Sequence, residues 1–178
     1  MMSKLSRKLE IGANVAIILV AILIGAVFVK NYLLSSRNAP ENRDFRVPAG
    51  TKMALSATDW AQNGQTLLLV LQKGCHFCSE SAPFYQRLVR ETAGHGTTHL
   101  LAVLPQTTDE SKRYLNDMGV TIEDVKQAEL DSIGVRGTPT LILVNNQGVV
   151  MNSWAGKLPA DGEADVLRHL QEKPVSSR

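Results

Sequence analysis

Residues 67–78 read Leu-Leu-Leu-Val-Leu-Gln-Lys-Gly-Cys-His-Phe-Cys, and this stretch decides the fold. Its first five residues are apolar without alternation, which is typical of a strand buried on both faces in the middle of a sheet. Cys75 and Cys78 are the only cysteines in the chain. The residues that follow have helical periodicity, with apolar side chains at Phe84 and Leu88. The sequence therefore predicts a buried strand, a cysteine pair and a helix in immediate succession.

This succession predicts a redox-active dithiol. Residues at positions i and i+3 lie on one face of a helix, so a disulfide can join their sulfurs. Cys75 is expected at the helix N-terminus, where free N–H groups and the helix dipole stabilise negative charge and lower the pKa of a thiol. We therefore predict Cys75 as the nucleophile and Cys78 as the resolving thiol. Metal binding is the alternative, but a closed zinc site needs four ligands and the chain has no second cysteine pair.

An N-terminal membrane anchor is the second prediction. Residues 11–29 contain no Asp, Glu, Lys or Arg, and the run is long enough to cross the hydrocarbon core of a bilayer as a helix. A cleaved signal peptide is the alternative, but its apolar region is shorter and ends at a small-residue cleavage site, which is not evident here. We expect residues 1–34 to be an uncleaved anchor, residues 35–50 a polar linker and residues 51–174 a folded domain.

The part of the chain after the anchor has almost no net charge. Residues 31–178 contain 15 Lys and Arg against 16 Asp and Glu, a net charge of −1, so no nucleic-acid partner is expected. Basic residues flank the apolar run on both sides, so the charge bias does not decide its orientation. The signal-anchor character of the N-terminus and the lack of a further thiol that could mispair favour a single-pass protein of the cytoplasmic (inner) membrane. Its C-terminal domain is expected to face the periplasm or the cell exterior.

The rest of the chain alternates predicted strands and helices. A short helix is predicted at 58–62, and a closing helix at 161–171. Between them the pattern predicts strands at 65–72, 97–104 and 123–128, helices at 75–93 and 108–118, and a hairpin of 140–145 and 149–153. Strands that alternate with helices and end in a hairpin and a helix indicate a layered α/β sandwich.

Residues 50–172 resemble the thioredoxin superfamily. The resemblance rests on the cysteine pair after a strand, on Pro83 five residues beyond Cys78, and on residues 134–140, Gly-Val-Arg-Gly-Thr-Pro-Thr, which match the family's cis-proline loop. It implies a thioredoxin-like three-layer α/β sandwich. It also implies a cis peptide bond before Pro139 and a bend of the active-site helix at Pro83.

The resemblance also implies a set of residues that contact the substrate. They lie beside the dithiol, in the cis-proline loop and at a glycine that the family keeps beside its substrate groove: Gly74, His76, Phe77, Thr138, Pro139 and Gly156. Thr138 would offer its backbone to an extended substrate segment. A protonated His76 would favour the Cys75 thiolate, or its ring would face solvent with little effect. Phe77 is expected to be an exposed apolar contact for partners.

Two positions depart from the family's pattern. The family usually has a tryptophan before the first cysteine, where this chain has Gly74. It usually has a buried acid six residues before that cysteine, where this chain has Leu69. Proton transfer would therefore use water or another residue, or be slower, and Glu80 is close in sequence.

Residues 105–128 supply a helix and a strand before the cis-proline loop. This α/β insertion and the anchor resemble those of the membrane-tethered thioredoxins of bacterial envelopes, many of which reduce disulfides during cytochrome c maturation. The resemblance implies a thiol–disulfide oxidoreductase that uses no cofactor or metal ion, acts on protein disulfides and exchanges electrons with a further redox donor or acceptor.

The direction of the reaction and one other function stay open. We expect the reductive direction, with a disulfide-forming oxidase or isomerase as the alternative. A non-enzymatic Cu(I) carrier is the alternative from another class, because soft thiolates bind Cu(I) and Met53, Met118 or Met151 could assist them.

Overall fold

The computed structural model of the protein describes residues 17–21, 45–56, 58–62, 64–95 and 98–171. The chain divides into two compact units, residues 1–41 and 42–178. Residues 17–21, in the first unit, are helical. Among the residues described, no helix is both long and apolar enough to span a bilayer. Apart from residues 17–21, the predicted anchor, residues 1–34, lies outside the described residues.

The apolar run after residue 66 forms the centre of a sheet. In the described part of the chain, five strands form this sheet in the order β3-β2-β1-β4-β5. The strands are β1 (Gln65–Val70), β2 (Thr98–Leu104), β3 (Asp124–Gln127), β4 (Thr140–Asn145) and β5 (Val150–Ala155). Pairing is parallel from β1 through β2 to β3, and antiparallel from β1 through β4 to β5. Every residue of β1 is buried, including its four apolar residues from Leu67 to Val70, for which the unalternating sequence predicts burial.

Four helices of the described domain pack on one face of this sheet. They are α1 (His76–Glu80), α2 (Ala82–His95), α3 (Thr108–Asp117) and α4 (Ala160–Gln171). Their apolar side chains pack with Leu67 and Leu69 of β1 in one buried cluster, which also contains Cys78. We call this cluster the helix-side core.

The helix predicted over residues 75–93 is divided in two. α1 ends at Glu80, and Ser81 has φ −88° and ψ 0° before α2 begins. Pro83, the second residue of α2, has no N–H to donate to the preceding turn, and its ring crowds the carbonyl four residues earlier. The bend that the resemblance predicts at Pro83 is therefore present as an interruption between two helices.

The opposite face of the sheet is covered by irregular chain. Its core contains Val47, Leu68, Val70, Ile133 and Val135, with further strand residues. The described residues that cover this face include two 3-10 turns, Trp60–Gln62 and Asp131–Ile133, but no α-helix. The first of these turns lies within the short helix predicted at 58–62. The sheet and one helical layer of the predicted three-layer sandwich are thus present, whereas the described residues on the opposite face form no α-helical layer.

The predicted linker, residues 35–50, extends too far toward the domain. Val47 is only 3% exposed, and its carbonyl accepts a hydrogen bond of 2.8 Å from Ser153 Oγ. The Gly50 N–H donates to the Val150 carbonyl at 2.8 Å, so the segment also pairs with the outer edge of β5. An unpaired strand edge invites association with other chains, and this segment gives part of the edge a partner. The folded domain therefore begins before residue 51.

Residues 105–128 form the predicted insertion. Thr107 caps α3, since its Oγ1 accepts a hydrogen bond of 3.4 Å from the Glu110 N–H. β3 then pairs in parallel with β2 at the edge of the sheet. The insertion thus widens the sheet by one strand and extends the helix-side core.

Gly148, in the turn from β4 to β5, has a left-handed backbone with φ +74°. A Cβ at this position would lie 2.6 Å from Cδ1 and Nε1 of Trp60. We expect Gly148→Ala to lower the free energy of unfolding by about 2 kcal/mol, because the left-handed conformation costs alanine about 1 kcal/mol and the methyl group must also displace the Trp60 ring. Urea denaturation followed by circular dichroism measures this loss.

Gly134→Ala is the matched control for this prediction. Gly134 has φ +72°, and no heavy atom lies within 4 Å of its Cβ position. Its substitution should cost only the backbone term, about 1 kcal/mol. Equal losses at the two positions would contradict a contribution from Trp60.

Candidate active site

Cys75 and Cys78 form a disulfide just beyond the C-terminal end of β1. Their Cα atoms are 5.2 Å apart, within the usual range for a disulfide. Cys75 is the N-cap residue of α1, with an extended backbone at φ −74° and ψ 113°. Cys78 lies in the first turn of α1 and is 0% exposed, whereas Cys75 is partly exposed. Of the two sulfurs, Cys75 is therefore the one that a partner can reach.

Two backbone groups lie against the Cys75 sulfur. The Cys78 N–H donates a hydrogen bond of 3.2 Å to Cys75 Sγ. The carbonyl oxygen of Thr138 lies 3.4 Å from the same sulfur. A backbone N–H directed at a sulfur favours its negatively charged form. The geometry thus favours Cys75 as the sulfur that carries charge after reduction.

The cis-proline loop and the loop after β5 meet beside this disulfide. The Thr138–Pro139 peptide bond is cis, as the resemblance predicts. The Gly156 N–H donates to the Pro139 carbonyl at 2.7 Å, and Gly156 has φ +80°. The fold therefore brings Cys75, Thr138, Pro139 and Gly156 together from distant parts of the sequence.

Gly74, His76 and Phe77 flank the disulfide on its exposed side. No heavy atom lies within 4 Å of the Cβ position of Gly74, so there is open space where the family usually has a tryptophan. Phe77 is 54% exposed, as predicted, and the His76 side chain is 77% exposed. All six predicted binding residues thus lie around the disulfide or in the loops against it, and their contact with a substrate stays a prediction.

Glu80 connects α1 to the loop after β5. Its Oε1 lies 3.1 Å from His76 Nε2, and its Oε2 lies 2.9 Å from Lys157 Nζ. The hydrogen bond and charge of Lys157, with a smaller contribution from His76, lower the pKa of Glu80 below its ordinary value. Because this carboxylate is at the surface, it does not replace the buried acid that is missing at Leu69. Sequence reasoning did not place Glu80, and it missed Lys157, whose only signal is its position directly after Gly156.

The position of the missing acid lies inside the helix-side core. Leu69 is fully buried there together with Cys78. No Asp or Glu is among the buried residues of the described chain. The hydroxyls of Tyr85 and Tyr114 are buried without a hydrogen-bond partner among the described residues, and burial raises the pKa of Tyr85. The described core therefore holds no carboxylate that could pass a proton to Cys78.

The three methionines considered for copper binding lie in two different cores. Met53 is buried in the core of the opposite face, while Met118 and Met151 pack against the helix-side core that contains Cys78. Among the described residues, no group of three or more His, Cys, Asp and Glu side chains is arranged to hold a metal ion.

The Glu80 ion pair gives a prediction for pH dependence. We expect Lys157→Met to raise the pKa of Glu80 toward 4.5, its ordinary value, as followed by NMR titration of the side-chain carboxyl. In the unchanged protein the lowered pKa means that the folded state binds this proton less readily than the unfolded state. The ion pair therefore stabilises the fold above the ordinary pKa, and this contribution is lost as the pH falls through the lowered pKa.

Lys112→Met is the control for this titration. Lys112 is exposed on α3, and its loss removes the same charge without touching Glu80. The pKa of Glu80 should then stay unchanged. A similar rise in both variants would show that net charge, rather than the Lys157 contact, sets this pKa.

Comparison with known proteins shows similarity at the level of structure. No family model and no curated protein matches the chain. A thiol:disulfide interchange protein, DsbE, from Chlorobium tepidum matches with a TM-score of 0.53 and 22% identity, over 70% of this chain and 96% of that one. StoA from Bacillus subtilis matches with a TM-score of 0.51 and 15% identity, over 70% and 98% of the two chains.

A thiol-disulfide isomerase from Corynebacterium glutamicum matches with a TM-score of 0.51 and 18% identity, over 80% of this chain and 99% of that one. These structures have a mixed sheet and helices in common with the present chain, and their low identities limit the likeness to the fold. The sheet order, the cis peptide bond at Pro139 and the Cys75–Cys78 disulfide agree with this likeness. The chain therefore has the thioredoxin fold, with its disulfide at the N-terminal end of α1.

Proposed function

We propose that this protein is a membrane-anchored thiol–disulfide oxidoreductase that reduces protein disulfides outside the cytoplasm. One observation carries the chemistry: the Cys75–Cys78 disulfide has one accessible and one buried sulfur and lies against the cis-proline loop. Such an asymmetric pair can capture a partner through its exposed sulfur and release it through its buried one. The neighbours from Chlorobium tepidum and Corynebacterium glutamicum are named for disulfide interchange and isomerisation, which supports this chemistry.

The reaction proceeds in two exchange steps. The Cys75 thiolate attacks one sulfur of a substrate disulfide, so that a mixed disulfide forms and one substrate thiolate leaves. The Cys78 thiolate then attacks the Cys75 sulfur, which forms the internal disulfide and releases the second substrate thiolate. The substrate gains two electrons and the dithiol loses two. A separate thiol donor must return the protein to its reduced form.

Substrate binding is expected at the loops around Cys75. An extended segment of the partner would lie beside Thr138, which is half-buried next to the nucleophile. The open space at Gly74 leaves room for the segment on the other side of Cys75. Phe77 offers an apolar surface next to the reacting sulfur. These contacts would orient the substrate disulfide toward Cys75.

The reductive direction is supported by the insertion that α3 and β3 form, because it resembles that of the reductive tethered thioredoxins. The test is equilibration of the protein with glutathione or dithiothreitol buffers and measurement of the reduced fraction. A reduction potential close to that of thioredoxin, about −270 mV, is expected. A potential close to that of a strong oxidant, about −120 mV, would contradict the reductive direction and favour a disulfide-forming oxidase.

The membrane anchor and its orientation need a separate test. We expect the full chain to stay in the membrane pellet after extraction with alkaline carbonate, because residues 11–29 are apolar and long enough to span the bilayer. A protease added to intact spheroplasts should degrade the domain. Release of the chain by carbonate would contradict the anchor, and protection from the protease would contradict the orientation.

A further inference from the structure

We infer that the surface around Cys75 binds acidic segments of partner proteins. The inference rests on the proposed exchange reaction and adds the chemical class of its protein substrate. It follows from the charges on the segments that meet at the disulfide.

Each of three described segments that meet at Cys75 carries one exposed basic side chain. Lys73 lies two residues before the nucleophile, in the connection from β1 to α1. Arg136 lies two residues before Thr138, whose carbonyl oxygen is 3.4 Å from Cys75 Sγ. Lys157 directly follows Gly156, whose N–H is bonded to the cis-proline loop. Basic side chains therefore come from all three segments that border the reacting sulfur.

Glu80 is the only acidic residue within these segments, residues 72–81, 136–140 and 155–158. Its carboxylate is held by Lys157 and His76, at 2.9 Å and 3.1 Å. It is therefore already compensated and does not oppose an acidic partner. The three segments have a net charge of +2 with His76 neutral, whereas residues 31–178 as a whole have −1. The positive charge is thus concentrated at the site.

Lys73 and Arg136 are available for a partner. Both are exposed, and neither side chain forms an ion pair with another described residue. Phe77, 54% exposed in the first turn of α1, adds an apolar surface. The complementary partner is an extended segment with acidic residues on both sides of its cysteine and an apolar residue that packs on Phe77. Charge pairs of this kind mainly raise the association rate, and salt screens them.

The test compares two peptide disulfides in single turnover. The peptides have the same length and the same cysteines, with glutamates beside the cysteines in one and lysines in the other. The full chain is reduced beforehand, cleared of excess thiol and kept in non-ionic detergent, and the reaction is stopped with acid. We expect the acidic peptide to react about 10-fold faster at low salt, with the ratio falling toward one at 0.5 M NaCl.

Charge reversal tests whether Lys73 and Arg136 cause the preference for the acidic peptide. The single variants Lys73→Glu and Arg136→Glu should each lower the ratio of the acidic to the basic peptide, and the double variant should bring it below one. Lys52→Glu is the matched control, because Lys52 is exposed and pairs with Val149 at the other end of β5 from Ala155. The distance between those ends is about 20 Å, twice the screening length of about 10 Å at 0.1 M ionic strength, so the low-salt comparison is made at about 0.1 M. This variant should keep the ratio of the unchanged protein.

The outcomes separate this inference from the proposed function. Equal rates for the two peptides at low salt, or an equal change of the ratio in the Lys52→Glu control, would overturn the acidic preference. Bis(2-hydroxyethyl) disulfide, which is small and uncharged, tests the exchange reaction itself. If the reduced protein reacted with neither this compound nor the peptides, the proposed function would fail and the inference with it.

Discussion

Cys75→Ser should abolish disulfide exchange, lowering the second-order rate constant for a peptide disulfide by at least about 1,000-fold. A serine hydroxyl is not ionised near neutral pH, and the remaining thiol, Cys78, is 0% exposed. The partner disulfide therefore finds no accessible nucleophile. Stopped-flow mixing of the reduced protein with a chromogenic peptide disulfide measures the loss.

Cys78→Ser is the matched variant, since it changes the other sulfur in the same way. The accessible Cys75 remains, so the first exchange step should proceed and the mixed disulfide should persist. Mass spectrometry of the unreduced protein would show the chain with one peptide attached through Cys75. A stable adduct on Cys78 in the Cys75→Ser variant would instead make the buried sulfur the attacking one, against the geometry of the site.

Leu69→Asp should lower the free energy of unfolding by about 4 kcal/mol or more at pH 8. Leu69 is fully buried in the helix-side core, and a carboxyl group placed there loses its contact with water. Burial favours the neutral form, so the folded-state pKa of the new carboxyl should be raised above the unfolded value of about 3.9. The folded state then binds the proton more tightly, and stability falls as the pH rises between the two pKa values.

Leu69→Asn separates the cost of burying a polar group from the additional cost of burying a charge. Asparagine has nearly the same shape as aspartate but does not titrate, so its cost should be the same at pH 5 and pH 8. The cost of aspartate should grow by up to about 1.4 kcal/mol for each pH unit within the titration range. Urea unfolding curves at both pH values measure it. Equal costs for the two variants at pH 8 would show that this core accepts a charged carboxylate.

The centre of the fold could be predicted because its sequence signals are local. The apolar run before the cysteines predicts β1, and residues 146–148 predict the turn between β4 and β5. Glycine and capping residues likewise predict the ends of α3. These patterns act over a few residues, so they do not depend on how distant parts of the chain meet.

The missed features depend on contacts between distant residues. Val47 lies in a mostly polar stretch without periodicity, and only its contact with the sheet makes it part of a core. The third layer has no described α-helix because the covering chain is irregular, which periodicity does not reveal. Lys157 and Glu80 are 77 positions apart, and no pattern within either segment predicts their ion pair. The positions of the cysteines and of Pro139 could be predicted only because the sequence motifs at these positions match those of the thioredoxin superfamily.

β1 is flanked by a strand on each side and covered on both faces. Such a strand is the last part of a domain to open, and its amide protons exchange with solvent only when the whole domain unfolds. The reacting sulfurs are attached just past this strand, on the single short turn of α1. A partner can therefore form and break disulfide bonds with the protein through many cycles while β1 stays folded. Local opening during repeated turnover would be confined to α1 and to the loops around the disulfide.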